Sequence, residues 1–284
     1  MEIINRRQRM FSISRKLRRE EKTVGFVPTM GALHAGHLAL VKEARQRSDI
    51  VIVSIFINPT QFNEKSDLEK YPRDLTADAA LLADYDVDYI FAPDASEIYP
   101  EGFSTYVNVD NLTDTFEGES RPGHFRGVAT VVTILFNTVR PDHAFFGQKD
   151  AQQVAVIRRL TTDLGFETEI VVMPTIREES GLAMSSRNSR LTVEEREKAV
   201  VIIEALRKAK LAFKKGERNA SALTEIVKDR VADEPLAKLD YVAVVDRNSL
   251  QLIDVIGDGE TLILVAVHFG NVRLIDNVIL NRKQ

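Results

Sequence analysis

The chain of 284 residues reads as an α/β protein: a Rossmann-like, doubly wound parallel sheet with a smaller C-terminal α+β domain. Three observations predict this. Strand-like and helix-like runs alternate up to residue 175, as βαβ units require. One run, DIVIVSIFIN (49–58), is apolar almost throughout, which marks a strand covered on both faces. After Pro174 the order changes to helices and then three strands joined by short turns, which suits an antiparallel sheet. The predicted domains are residues 1–176 and 177–284.

The elements follow in order. The N-terminal MEIINRRQRMFSISRKLRREEK is basic and reads as a helix with one charged, solvated face. It lacks the apolar core of a secretory signal. TVGFVPT (23–29) is a strand, and a helix starts around Gly36 or His37 and runs through HLALVKEARQRS. After 49–58, LTADAALLADY (75–85) is helical and VDYIFAPD (87–94) a strand. GVATVVTILFNTV (127–139) reads as a helix despite its β-branched residues, because RPDHAFFG (140–147) follows as the next strand. AQQVAVIRRLTTDLG (151–165) is a helix ending at a C-terminal glycine, and ETEIVVMPT (167–175) closes the set. IREESGLAMSSRNSR (176–190) is polar and loop-like. Residues 191–216 read as one long helix opened by a Thr192-x-x-Glu195 capping box. A second helix covers 219–233, and strands cover 239–246, 261–270 and 272–280.

Composition excludes several classes. With no cysteine, the chain has no disulfide, thiolate metal site or cysteine nucleophile. A net charge of −4 gives no bulk attraction to nucleic acid or a membrane surface. No apolar run is long enough to span a bilayer. We therefore expect a cytoplasmic protein without nucleic-acid or membrane partners.

PTMGALHAGH (28–37) carries the strongest functional signal. It places two of the five histidines three apart at a strand-to-helix turn. In open α/β sheets, ligands bind beyond the carboxyl ends of the strands, often at a helix N-terminus. Such a terminus offers unpaired N–H groups and partial positive charge to an anion. Gly31 and Gly36 let the backbone approach a ligand. His34 and His37 can donate hydrogen bonds to phosphate oxygens, or can simply satisfy local backbone groups. Ser185, Ser186 and Arg187 could follow a triphosphate as it becomes pyrophosphate, or belong to a solvated loop. Lys149 follows a buried strand and can point at phosphate.

PTMGALHAGH, SIFINPTQF, YPRDL, RPGHFRGVATVV, FFGQKDAQQ and GLAMSSRN occur in this order over nearly all of the first 190 residues. Together they resemble the pantothenate synthetase (pantoate–β-alanine ligase) family, within the nucleotidyltransferases bearing a HIGH-type motif. The last 90 residues are less distinctive. The chain departs from the family in two places: Gln148 stands where Glu is frequent, and Ala151 where an aromatic is frequent.

The resemblance implies roles. Met30, Gly31, Ala32, Leu33, His34, Ala35, Gly36 and His37 would line an ATP site. His34, His37 and Lys149 would be catalytic. Gly147, Gln148, Lys149 and Asp150 would hold the nucleotide, with Asp150 on the ribose. Ile176 would meet the adenine through its backbone. Met184, Ser185, Ser186 and Arg187 would replace the KMSKS-like loop of related enzymes. Gln61 and Gln153 would bind pantoate, Gln61 would also touch β-alanine, and Asn58 would support them. The implied reaction joins pantoate to β-alanine through a pantoyl adenylate, releasing AMP and pyrophosphate. ATP is a substrate, Mg²⁺ is held mainly by its phosphates, no protein metal ligand is assigned, and a homodimer is implied. Paired glutamines can both donate to and accept from pantoate hydroxyls. The competing readings are a nucleotidyltransferase acting on a phosphate acceptor and a nucleotide-binding regulator.

Other residues carry two readings. His124, in RPGHFRG, is a lid residue over the ligand or a surface-loop histidine. His143 and His268 are structural. Asp67, Glu69 and Asp74 are metal ligands or, the safer reading, the solvated start of a helix.

Overall fold

Six parallel strands, counted among the described residues, form the first sheet: β1 (Glu2–Ile4), β2 (Val24–Thr29), β3 (Ile50–Ile55), β4 (Tyr89–Phe91), β5 (His143–Gly147) and β6 (Glu169–Met173). Their spatial order is β1-β4-β3-β2-β5-β6. The structure is a computed structural model and describes residues 1–63, 68, 69 and 71–281. From β2 the chain winds outward through β3 and β4; from β5 it winds the other way to β6. The direction reverses between β2 and β5, where an open α/β sheet leaves a crevice at the strands' carboxyl ends. PTMGALHAGH leaves β2 there, and Gly147 ends β5.

β2 and β3 form the centre because their side chains suit burial on both faces. Phe26, Val27, Val51, Ile52 and Val53 are all fully buried. Helix α2 (Ala35–Arg47) packs Leu40, Val41 and Ala44 against this core. Helix α1 (Arg7–Arg19) buries Met10, Ser14 and Leu17 on one stripe and leaves most of its basic residues exposed. Further helices of this unit are α3 (Leu75–Leu82) and α4 (His124–Val139). Phe136 of α4 lies edge-on to both Phe26 and Phe166, with ring centroids 6.4 and 5.6 Å away. Such aromatic pairs add stability beyond the area they bury.

The chain divides into two compact units. One is Met1–Gly147 with Val156–Met173; the other is Gln148–Ala155 with Pro174–Gln284. The division passes through helix α5 (Ala151–Asp163). Gln148–Ala155 groups with the second unit because Asn277 holds the Gln148–Lys149 backbone. That second unit holds an antiparallel sheet of β7 (Ala237–Asp246), β8 (Thr261–Phe269) and β9 (Val272–Leu280). β8 and β9 join through Gly270–Asn271, with Gly270 at φ +53°, the positive backbone angle that two-residue hairpins favour. Helices α6 (Val193–Lys198), α7 (Val201–Lys214) and α8 (Ala220–Ala232) complete it. Ile203, Leu206, Leu223 and Val227 pack with Ile263, Val265 and Phe269 in its core.

Several expectations need correction. β1 was not foreseen; three residues are too few to show a period, and only Ile4 is buried. The expected long helix from 191 is two helices, α6 and α7. The Thr192–Glu195 capping box is present, but the spiral tightens at Ala199, whose carbonyl accepts from Ile202 N–H three residues on. The backbone stays right-handed at Ala199 and Val200, so only the hydrogen-bond pattern breaks. α2 begins at Ala35, earlier than expected, because His34 is its N-cap. The polar segment 176–190 is not a plain loop: Arg177 and Ala183 form an antiparallel bridge, and Ser186–Arg190 is a 3-10 turn.

Candidate active site

In the first unit, the site is built on the turn between β2 and α2. Gly31 adopts φ +80° and Ala32 φ +52°. Asp78 of α3, 4% exposed, receives this turn: its Oδ2 accepts Ala32 N–H at 3.0 Å and its Oδ1 accepts Leu33 N–H at 2.8 Å. A Cβ on residue 31 would lie 2.8 Å from Asp78 Oδ2, so glycine is required there on two counts. His34 and His37 then cap α2. His34 Nδ1 accepts Gly36 N–H at 3.1 Å, and His37 Nδ1 accepts His34 N–H at 3.4 Å. The rings lie 4.1 Å apart, centre to centre. An imidazole accepting at Nδ1 carries its proton at Nε2. The cap thus selects the tautomer that donates through Nε2. The backbone reading of the pair is met, and each ring keeps an Nε2 donor.

Asn58 and Gln61 follow β3, on a 3-10 turn (Pro59–Gln61), and both are buried. Gln61 Nε2 donates to Met30 Sδ at 2.7 Å, joining this amide to the PTMGALHAGH turn. Asn58 Nδ2 donates to Gln61 Oε1 at 3.1 Å and to the Gly127 carbonyl at 3.0 Å. Gly127 lets α4 come this close, since a Cβ there would lie 2.6 Å from the Thr60 carbonyl oxygen. His124 is neither a lid nor a surface-loop residue. It is 7% exposed in the first turn of α4, its Nδ1 2.9 Å from the Gln61 carbonyl. Nδ1 must be the donor to a carbonyl, which leaves Nε2 to accept from Arg121, 3.2 Å away. Arg121 also donates to the Gln61 carbonyl at 3.2 Å. His143 contacts Ser48 and Glu169 as a structural residue. Asp74 caps α3 by accepting Ala77 N–H, and Glu69 is exposed. Asp67 lies outside the described residues.

In the second unit, Asn277 of β9 clamps the segment after β5. Its Nδ2 donates to the carbonyls of Gln148 and Lys149, each at 2.9 Å, and its Oδ1 accepts from Gln148 Nε2 at 2.9 Å. Glutamate at 148 would have no hydrogen to give Asn277 Oδ1, so glutamine suits this clamp. Lys149 Nζ lies 3.4 Å from Asp150 Oδ1. Lys149, Ser185, Arg187 and Asn188 line a recess together with Arg273 and Asp276. Ile176 and Met184 are joined through Met184 N–H and the Ile176 carbonyl at 2.9 Å. Arg177 grips buried Asp276 with both terminal nitrogens, at 2.6 and 3.1 Å. Ser185 Oγ accepts Arg187 N–H. Asn188 Nδ2 donates to Glu178 Oε1 at 2.7 Å and to the Ala183 carbonyl at 3.0 Å. Burial raises the Glu178 pKa, but hydrogen bonds from Arg196 and Asn188 outweigh it and hold this carboxyl below its ordinary value. Ser186 and Gln153 are half-buried, Gln153 in the first turn of α5.

A family model described as Pantoate-beta-alanine ligase matches residues 2–279. The chain belongs to the pantoate-beta-alanine ligase family. It is 52% identical over 268 residues to the pantothenate synthetase of Pelotomaculum thermopropionicum, covering 94% of this chain and 95% of the relative. It is 54% identical over 264 residues to that of Carboxydothermus hydrogenoformans, covering 93% of each. Among solved structures, a pantothenate synthetase from Thermus thermophilus superposes with a TM-score of 0.93 at 44% identity, over 99% of this chain and 100% of that one. Pantoate-beta-alanine ligase from Francisella tularensis, complexed with beta-gamma ATP and beta-alanine, gives a TM-score of 0.80 at 39% identity, over 98% and 97%.

For this member of the pantoate-beta-alanine ligase family, sequence reasoning had missed Asp78, Arg121, the Asn277 clamp and the Arg177–Asp276 pair. Each reaches a sequence-predicted site residue, or its chain neighbour, from far along the chain, so no local spacing signals it.

Proposed function

We propose that this chain is a pantoate–β-alanine ligase that works through an acyl adenylate. A carboxylate does not condense with an amine at neutral pH, so it must first become an acyl phosphate ester. The pantoate carboxylate oxygen attacks the α-phosphorus of ATP, and pyrophosphate leaves. The β-alanine amine then attacks the acyl carbon, and AMP leaves with the bridging oxygen. The observation that carries this reading is the contact between Gln61 and Met30. It sets a buried amide for the acid beside a turn suited to phosphate.

Two anions must meet in the first step, so the residues needed are donors and cations. In this reading His34 and His37 donate to the phosphates through Nε2. Lys149, Ser185, Ser186 and Arg187 stabilise charge on the triphosphate and on departing pyrophosphate. Met30 to His37 and Gly147 to Asp150 hold the nucleotide, and Ile176 and Met184 the base. Gln61 and Gln153 hold pantoate, and Gln61 also reaches β-alanine. No group of three acidic or histidine side chains among the described residues could hold a metal. The donor set fits phosphate rather than a bare cation, so Mg²⁺ would enter with ATP, held by phosphate and water oxygens. We extend the reading to a cytoplasmic homodimer, following the family resemblance; no helix among the described residues is long and apolar enough to cross a membrane.

Isotope exchange tests the order of steps. With pantoate, ATP and Mg²⁺ but no β-alanine, labelled pyrophosphate should exchange into ATP. Oxygen label in the pantoate carboxylate should appear in AMP. ADP among the products, or label confined to pantothenate, would exclude the adenylate.

A further inference from the structure

We infer that Tyr99 is a positioning residue: acting through Asn58, its hydroxyl holds the Gln61 amide firm in the orientation it offers the substrate. The inference rests on the reading above that Gln61 binds the acid substrate.

Amide oxygen and nitrogen are told apart by their partners. Both ends of Asn58 face backbone groups of fixed polarity. Oδ1 accepts Thr60 N–H at 3.3 Å, and a backbone N–H can only donate. Nδ2 donates to the Gly127 carbonyl at 3.0 Å, and a carbonyl can only accept. The second hydrogen on Nδ2 therefore goes to Gln61, 3.1 Å away, and the atom receiving it must be Oε1. That leaves Nε2 as the Gln61 end directed at Met30 and the turn. Gln61 meets the substrate as a donor, which suits a carboxylate or hydroxyl oxygen and not an ammonium group. This narrows the expectation that both glutamines donate and accept.

Tyr99 holds the start of this relay. Its hydroxyl donates to Asn58 Oδ1 at 2.7 Å, a shorter contact than those from Thr60 N–H and Thr60 Oγ1, the latter at 2.9 Å. The Tyr99 ring is held 5.0 Å from Phe103 and 6.3 Å from Phe56, centre to centre. Burial keeps its phenol protonated to higher pH than usual, so the hydroxyl remains a donor across the neutral range. Without it, Asn58 Oδ1 loses its shortest partner, and the Asn58 and Gln61 amides are held less firmly in this orientation.

The test is a double-mutant cycle with Tyr99→Phe and Gln61→Ala, read as separate KM values for pantoate and ATP. Tyr99→Phe should raise the pantoate KM about three- to tenfold, the effect of one hydrogen bond, and change the ATP KM less than about twofold. In the Gln61→Ala background, Tyr99→Phe should add nothing, because the amide it orients is gone. A full additional effect there would mean Tyr99 acts by supporting the fold, and would overturn the proposal. So would a Tyr99→Phe enzyme with normal pantoate KM while Gln61→Ala is impaired. If Gln61→Ala itself leaves the pantoate KM unchanged, the reading of Gln61 fails first and takes this inference with it. Should Tyr99→Phe not fold, Thr60→Val, which removes the other hydroxyl on Asn58 Oδ1, runs the same cycle.

Discussion

Replacing Asp78 with asparagine should damage the phosphate turn from beneath while leaving every proposed ligand-binding side chain in place. The carboxylate accepts two backbone N–H groups, one per oxygen, at 3.0 and 2.8 Å, and is 4% exposed. Asparagine has the same shape but only one acceptor oxygen. Either way it is placed, an amide N–H₂ then faces a backbone N–H. One charge-assisted hydrogen bond is lost, about 1.5–3 kcal/mol, and the other weakens towards the neutral value of about 0.5–1.5 kcal/mol. Their sum is a destabilisation of roughly 2–4 kcal/mol. At about 2–4 °C per kcal/mol for a unit of this size, the melting temperature should fall by roughly 4–16 °C. The functional loss should fall on ATP. The turn leads directly into His34, so its displacement should raise the ATP KM by at least ~10-fold, with a smaller change for pantoate. Thermal melts and initial rates at varied ATP and pantoate read both effects. An Asp78→Asn enzyme that melts within about 1 °C of the parent and keeps its ATP KM would refute the support assigned to Asp78.

Two further predictions concern the phosphate groups and the loop. His37→Ala or Lys149→Ala should slow adenylate formation by at least ~100-fold in single-turnover assays, since each is proposed to stabilise charge at the phosphates. Both should fold, although His37→Ala also removes a capping acceptor, with a loss of about 1 kcal/mol visible in the melt. Glu178 gives a pH prediction. Its folded pKa is depressed, so its contribution is complete above the ordinary value of 4.5 and is lost as pH falls through the lower folded value. Amide-exchange protection of residues 183–190 should therefore drop in that acid window, and Glu178→Gln should abolish the pH dependence. An unchanged acid profile in the variant would detach Glu178 from the loop.

The central strands were legible because β2 and β3 are apolar at nearly every position, which only burial on both faces explains. The turn was legible because Gly31, His34, Gly36 and His37 lie within seven residues. Residues recruited across the chain were not. Asp78 lies 45 residues from Leu33, the N–H it accepts, and reads locally as an ordinary helical acid. Asn277 sits in an alternating strand, where an inward asparagine looks like an exception until Gln148 and Lys149 arrive 129 and 128 residues away. His124 looked exposed because glycine and proline flank it; the first turn of α4 then carried it inward to Gln61. β1 and the tightening at Ala199 escaped for a different reason. A three-residue edge strand has no period to read, and a helix can change its bonding pattern without any glycine or proline.

The histidine cap explains why no cationic side chain could stand in its place. Lysine and arginine can bind phosphate, but neither has a lone pair to give the backbone of α2. Serine and aspartate can cap, but their polar atoms stay close to the helix. An imidazole has an acceptor on one edge and a donor on the other, set rigidly apart, so one edge can close the helix while the other reaches outward. The two edges are tied to one tautomer: moving the hydrogen from Nε2 to Nδ1 would end the cap and take the outward donor with it. The helix start and the outward donor therefore share one tautomer and are lost together.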